Sequence, residues 1–186
     1  MKSLAEIALA AGVTEAEAEE VLARLVPPLA PGGRLRDRLL ASVAPGWWAL
    51  VDAFARHVDL PLERARALLV DAERYTSWVA GPLPGVSVMH LPHGAAHDGA
   101  DVGLVRLGAG VVFPPHEHLG PEQVIVLDGS YTDDRGRFYQ PGDRDDRGVG
   151  DRHHFVAGPS GVVFVVVLRE GIVVHVPGGE PVVIRG

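Results

Sequence analysis

The sequence predicts a mainly β fold, a small jelly-roll barrel preceded by an α-helical segment. Two textures along the 186 residues carry that prediction. From Ser3 to about Asp71 apolar residues recur at helical spacing, and from Val86 onward short β-branched runs are punctuated by Gly, Pro and Asp. The division falls at residue 75, with a helical N-terminal segment and connector over 1–75 and a barrel domain over 76–186.

In the helical part, Leu4, Ile7, Ala8 and Ala11 share one face. Thr14 then reads as an N-cap with Glu17 completing a capping box, ahead of Val21, Leu22 and Leu25. Pro27, Pro28, Pro31, Gly32 and Gly33 stop that helix, and a third is expected from Gly33 to Val43. Pro45 and Gly46 separate it from a fourth, which carries Trp47, Trp48, Val51, Phe54 and Ala55. Asp59 is the expected cap of a fifth, with Pro61 in its first turn and Ala65, Leu68 and Leu69 on its apolar face.

Strands are expected near 86–91, 102–107, 111–113, 122–129, 130–132, 138–139, 153–157, 162–168 and 172–176. Asp133, Asp134, Arg135 and Gly136 read as a hairpin turn in which Gly136 supplies positive φ. This many short strands close most readily into two sheets folded face to face, which shelters their edges. No internal repeat stands out.

Composition excludes several classes. A hydrophobic fraction of 47% is enough for a sizeable core, and a net charge of −7 without a basic stripe argues against nucleic acid as a partner. The longest apolar run, Val162 to Leu168, is far too short to span a membrane, and the N-terminus lacks a signal-peptide layout. With no cysteine there is no disulfide evidence for export, so a cytoplasmic location is the default expectation.

The chemistry concentrates in GVVFPPHEHLGPEQVIVLDG, residues 110–129. On an extended strand His116 and His118 point the same way, about 7 Å apart, with Glu117 pointing away. Beyond the turn at Leu119, Gly120 and Pro121, Glu122 re-enters the same interior at the head of an apolar run, where a carboxylate needs a partner. A fourth ligand is expected from His153 or His154, of which only one can face the interior. Three imidazoles and a carboxylate suit Zn, Fe, Mn, Ni or Cu; the absence of thiols excludes thiolate sites.

Gly110, His116, His118, Glu122 and Gly129, at these spacings, resemble the first motif of the cupin superfamily. Pro141 and Gly142 resemble the turn of its second motif, except that Asp145 stands where a histidine is usual. A narrower likeness, in PPHEHLGPEQVIVLDGSYTDDRGRFYQPGD with RHHFVAGPSG downstream, is to the cupin domain of ChrR-type anti-sigma factors. Residues 22–44 are similar to the connector of such proteins. The resemblance implies a cupin double-stranded β-helix, a metal site of His116, His118, Glu122 and His153, and a divalent ion, with zinc foremost and Fe, Mn or Ni fitting the same donors. In the family a cysteine zinc motif builds the sigma-binding domain, and this chain has no cysteine. The expectation is therefore a protein partner reached through the helical segment, with the sigma factor not carried over.

Two functions follow from this reading. One is a stress- or ligand-sensing regulator, placed in transcription regulation by the resemblance to the family, binding a small molecule in the barrel and acting as a homodimer. The other is a metal-dependent small-molecule enzyme such as a dioxygenase or isomerase. Catalytic residues are not assignable: beyond Tyr131, Tyr139 and His154 no ionisable group has a defensible position beside the metal. The tyrosines are expected to pack across strands, Trp47, Trp48 and Trp78 to seat helices on the barrel or on a second subunit, His93 and His97 to face solvent, and Asp143, Asp145 and Asp146 to form a solvated loop.

Overall fold

The computed structural model describes residues 10, 12–14, 16, 17, 46–175 and 178–185. The chain divides into two units, Met1–Leu40 and Ala41–Gly186. In the first, the Thr14 capping box forms as expected: the Glu17 carboxylate accepts from both the Thr14 amide and its hydroxyl at 2.8 Å, and Thr14 Oγ1 accepts from the Glu17 amide at 3.3 Å. The other helices expected before residue 46 lie outside the described residues.

The second unit opens with a 3-10 turn, Gly46–Leu50, followed by α1 (Val51–His57) and α2 (Leu62–Ala72). Asp59 does not cap α2. It takes a left-handed φ of 54°, and its carboxylate accepts the Ala96 amide at 3.0 Å, so the expected cap instead ties the helical layer to the loop around Ala96. Pro61 is the N-cap of α2, where its missing N–H removes no intrahelical bond.

Ten strands follow: β1 (Val79–Ala80), β2 (Val86–His90), β3 (Asp101–Leu107), β4 (Val112–His118), β5 (Glu122–Asp133), β6 (Phe138–Tyr139), β7 (Arg144–Arg147), β8 (Arg152–Leu168), β9 (Ile172–Val174) and β10 (Val182–Ile184). All the pairings are antiparallel, and together they make one curled sheet. β8 is the spine. Its second half, Val162–Leu168, lies between β3 and β5, while its first half pairs with β4 on one side and β5 on the other. Two strands expected on either side of Gly158–Gly161 are thus one long strand, with a kink where the glycines allow close approach.

Alternation along β5 and β8 sorts the core into two layers. Val124 and Val126 on β5, with Val162 and Phe164 on β8, face the barrel interior beside Leu107, Tyr131, Tyr139 and Phe155. Ile125, Leu127, Val163, Val165 and Val167 face the opposite way, against Trp47, Phe54, Val58, Ala65 and Leu69 of the helical layer. Trp47 is buried in that layer, as expected of a residue seating helices on the barrel, and the indole N–H of Trp78 donates to the Ala72 carbonyl at 2.8 Å. Each large apolar side chain so buried contributes about 1.5–3 kcal/mol, so the helices are an integral wall of the sheet. No helix among the described residues is long and apolar enough to cross a membrane.

The two glycines that bound the first motif both require their conformation: Gly110 has φ 67° and Gly129 φ 68°. At Gly129 a Cβ would also stand 2.2 Å from the Gly161 carbonyl oxygen, on the neighbouring kink of β8. Gly129→Ala is therefore expected to destabilise the fold by more than about 2 kcal/mol, read as a lowered urea midpoint. An unchanged midpoint would mean that the β5–β8 crossing is not the rigid contact described.

Candidate metal centre

The site is assembled by strand parity. His116 and His118 project from β4 into the barrel at 2% and 1% exposure, His153 projects from β8 at 4%, and Glu117 between them turns outward to pair with Arg152. His116 and His153 are directly opposed in the β4–β8 ladder, so one cross-strand pair supplies two of the three imidazoles. The ladder shifts register between Phe113 and His116, where Pro114 and Pro115 cannot donate, and the Pro114 carbonyl accepts from His116 Nδ1 at 3.0 Å. That bond fixes the ring and leaves its Nε2 as a free donor atom.

One nitrogen from each of His116, His118 and His153 lies within 4.8 Å of the others. His118 Nε2 and His153 Nε2 are 3.1 Å apart, close to the roughly 3.3 Å expected of two imidazoles on one tetrahedral ion with metal–nitrogen bonds of about 2.0–2.1 Å. The Nδ1 atoms of His118 and His153 are buried with no hydrogen-bond partner. Burial holds His116 down to about 4; His153 is lowered to about 2, first by burial and then by His116; and His118 is lowered by burial. All three are neutral at pH 7, the form that ligates a metal.

Glu122 faces the same interior from the start of β5. Its side chain is 14% exposed, with Oε2 4.0 Å from His118 Nδ1. Burial, and then the Asp145 charge, push it up to about 8. It lies beside the histidine triad, outside the 4.8 Å cluster. His154, next to His153, has the opposite parity and is only half-buried.

Beside the triad lies a buried polar network around Asp145, a residue that the sequence reading placed in a solvated loop. β7 alternates, so Arg144 and Asp146 face out while Asp145 and Arg147 face in. Arg147 Nη2 donates to Asp145 at 2.9 Å, to Tyr139 Oη at 3.2 Å and to Asp133 at 3.3 Å, and its Nε lies 2.7 Å from Asp145. Tyr131 and Tyr139 stack at 4.6 Å as a cross-strand pair, and both hydroxyls donate to Asp145, at 2.9 and 3.1 Å. Burial and then Asp145 raise both phenols, Tyr139 to about 12. Burial opposes the Asp133 charge, but the Arg137 and Arg135 amides and Arg147 outweigh it and hold this carboxyl below its usual range. The network is closed on itself, so neither tyrosine offers a free hydroxyl to the interior cavity.

That cavity, about 110 Å³, is lined mainly by apolar residues, among them Val86, Val105, Phe113 and Phe164, with His116 and Glu122 at one wall and Asp101 as its other ionisable group. Asp101 pairs with His90 at 2.9 Å. Of the remaining histidines, His93 and His97 are half-buried, their ring centroids 6.3 Å apart, and His97 Nε2 bonds the His57 carbonyl at 2.7 Å. His57 itself is buried on α1. The sequence contained a signal for this, since His57 and Val58 follow Phe54 at helical spacings of three and four.

The ChrR cupin-like domain family matches residues 65–170. An acetylacetone dioxygenase from Acinetobacter johnsonii superposes with a TM-score of 0.51 at 16% identity, covering 60% of this chain and 81% of that one. Rhodobacter sphaeroides SigE in complex with the anti-sigma ChrR gives 0.46 at 20% identity, covering 83% and 77%. The DMSP lyase DddQ from Ruegeria pomeroyi DSS-3 gives 0.47 at 19%, covering 74% and 80%. No curated protein matches the chain. With the family matched across the barrel and the fold shared with the Acinetobacter enzyme, the chain belongs to the ChrR cupin-like family of the cupin superfamily.

Proposed function

We propose that this chain is a metal-binding regulatory cupin in which His116, His118, His153 and Glu122 hold one divalent ion, zinc foremost, and the barrel senses a small molecule. The observation that carries the reading is the convergence of three buried, neutral imidazoles, two of them with unpartnered nitrogens, beside a carboxylate. When bound, such an ion supplies Lewis-acid polarisation of any donor atom that reaches it.

The cavity favours a sensor over an enzyme. At about 110 Å³ it admits only a small ligand, and apart from Glu122 and the paired Asp101 its wall offers no carboxylate, tyrosine or lysine to move a proton. In this reading the segment over 1–75 passes the state of the 76–186 barrel to a protein partner in transcription regulation. The protein works in the cytoplasm as a homodimer; an exposed apolar row, Val112, Val156 and Phe138 on neighbouring strands, supports that assembly. The second reading, a metal-dependent enzyme such as a dioxygenase or isomerase, is favoured by one observation, that His116 and Glu122 border the cavity directly. Turnover of a small diketone or phenol by the metal-loaded protein would overturn the regulatory reading.

Elemental analysis is expected to find one divalent ion per wild-type chain and none in His118→Ala. The variant should also melt lower, because an ion bound only by the folded state stabilises it by mass action. Unchanged metal content in His118→Ala would remove the assignment.

Metal-free protein is expected to be most stable at about pH 7. Below that pH the unfolded chain takes up protons on His57, His116, His118 and His153, whose folded pKa values are lowered, so stability falls as pH falls. From about pH 4.5 to 8 the unfolded chain has lost the Glu122 proton that the folded one keeps, so this group withdraws stability as pH rises. The histidines outweigh Glu122 on the acid side, and Glu122 outweighs them from about pH 7 to 8. Urea denaturation from pH 5 to 9 checks the maximum, and Glu122→Gln should abolish the alkaline fall.

A further inference from the structure

A second pocket lies outside the barrel, where α1 crosses the outer face of β5 and β7. It holds about 400 Å³ and is lined by Arg56 and His57 of α1, Gln123 of β5, Arg144 of β7 and His97 of the intervening loop, with Leu50, Ala53, Ile125 and Gly142 as its apolar wall. In a chain of net charge −7, no carboxylate is among the residues that line it. Strand parity explains the composition. Gln123 and Arg144 have the outward parity that Glu122 and Asp145 lack, so the same two strands that present carboxylates to the barrel present an amide and a guanidinium here.

His57 is the most buried polar side chain in the lining, at 6% exposure, and its Nε2 has no hydrogen-bond partner. A buried ring nitrogen left unpaired costs free energy unless a ligand or water meets it. Arg56 has no ion-pair partner among the described residues. Arg144 pairs with Asp146 at 3.5 Å, but both side chains are about half exposed, and such a pair is weak enough to exchange. The basic groups in the last turn of α1 also answer its C-terminal carbonyls. His97 does the same, its Nε2 bonding the His57 carbonyl at 2.7 Å, which leaves Arg144, converging from β7, without that explanation.

We propose that this pocket binds a small organic oxyanion, a phosphate monoester or a carboxylate, held between the Arg56 and Arg144 guanidinium groups, with a ligand hydroxyl or a bridging water donating to the unpartnered His57 Nε2. Planar guanidinium groups match both oxyanions bidentately, and the volume beyond the charged head accommodates a short apolar body against Leu50 and Ile125. The pocket and the metal centre lie on opposite faces of β5, so occupancy of one is independent of the metal assignment.

The test is titration calorimetry of inorganic phosphate and of succinate into metal-loaded wild type, into R56Q/R144Q, and into wild type stripped of metal. Both arginines are surface groups, so the double variant should fold and keep its metal. Binding that survives metal removal and weakens about tenfold or more in R56Q/R144Q supports the site. A preference for phosphate or for succinate assigns the head group. Equal affinity in wild type and the double variant, binding that disappears with the metal, or no binding of either anion at millimolar concentration would overturn it.

Discussion

The constraint on which the rest of this structure depends is the burial of three imidazoles against one another. Each removes a titratable ring from water, and desolvation drives all three to the neutral form. Only His116 has a protein acceptor for its second nitrogen; His118 and His153 leave theirs unpaired. A barrel stabilised by apolar packing alone would place valine at these positions. Three converging imidazoles form a donor set that could hold a metal ion.

β5 and β8 frame the triad. Their inward residues close the barrel around the triad, and their outward residues are the floor on which α1 and α2 pack. β5 thus carries Glu122 at the barrel face and Ile125 and Leu127 against Phe54 and Leu69, so the helical layer and the site share one strand.

Most of the fold and the core of the site were legible because they rest on local rules. Period-two alternation placed His116, His118 and Glu122 on one face, and the parity of β8 resolves His153 against His154. What was not legible depended on register. Asp143, Asp145 and Asp146 read as a solvated loop because charge predicts exposure, yet in register with β5 the strand sends Asp145 inward to pair with Arg147. Asp59 reads as a helix cap from its neighbours, but its left-handed backbone turns the carboxylate to Ala96, a partner far along the chain. Gly158–Gly161 reads as a break between strands, and only the pairing of β8 with β3, β4 and β5 shows it to be a bend within one.

Asp145 and Arg147 also complete the electrostatics of the centre. Around the three neutral imidazoles lie the carboxyls of Glu122, Asp133 and Asp145 and the Arg147 cation, while Asp101 in the cavity lining pairs with His90. With Glu122, Asp133 and Asp145 all ionised, this group around Arg147 carries two net negative charges, which low dielectric makes costly. Without a metal, protonating Glu122 is the cheapest relief, since Asp133 and Asp145 are already held by Arg147, backbone amides and tyrosine hydroxyls. Burial first, and then the Asp145 charge, raise Glu122. A divalent ion at the triad would favour its carboxylate form, so the Asp145–Arg147 network acts on the charge around the centre without touching it.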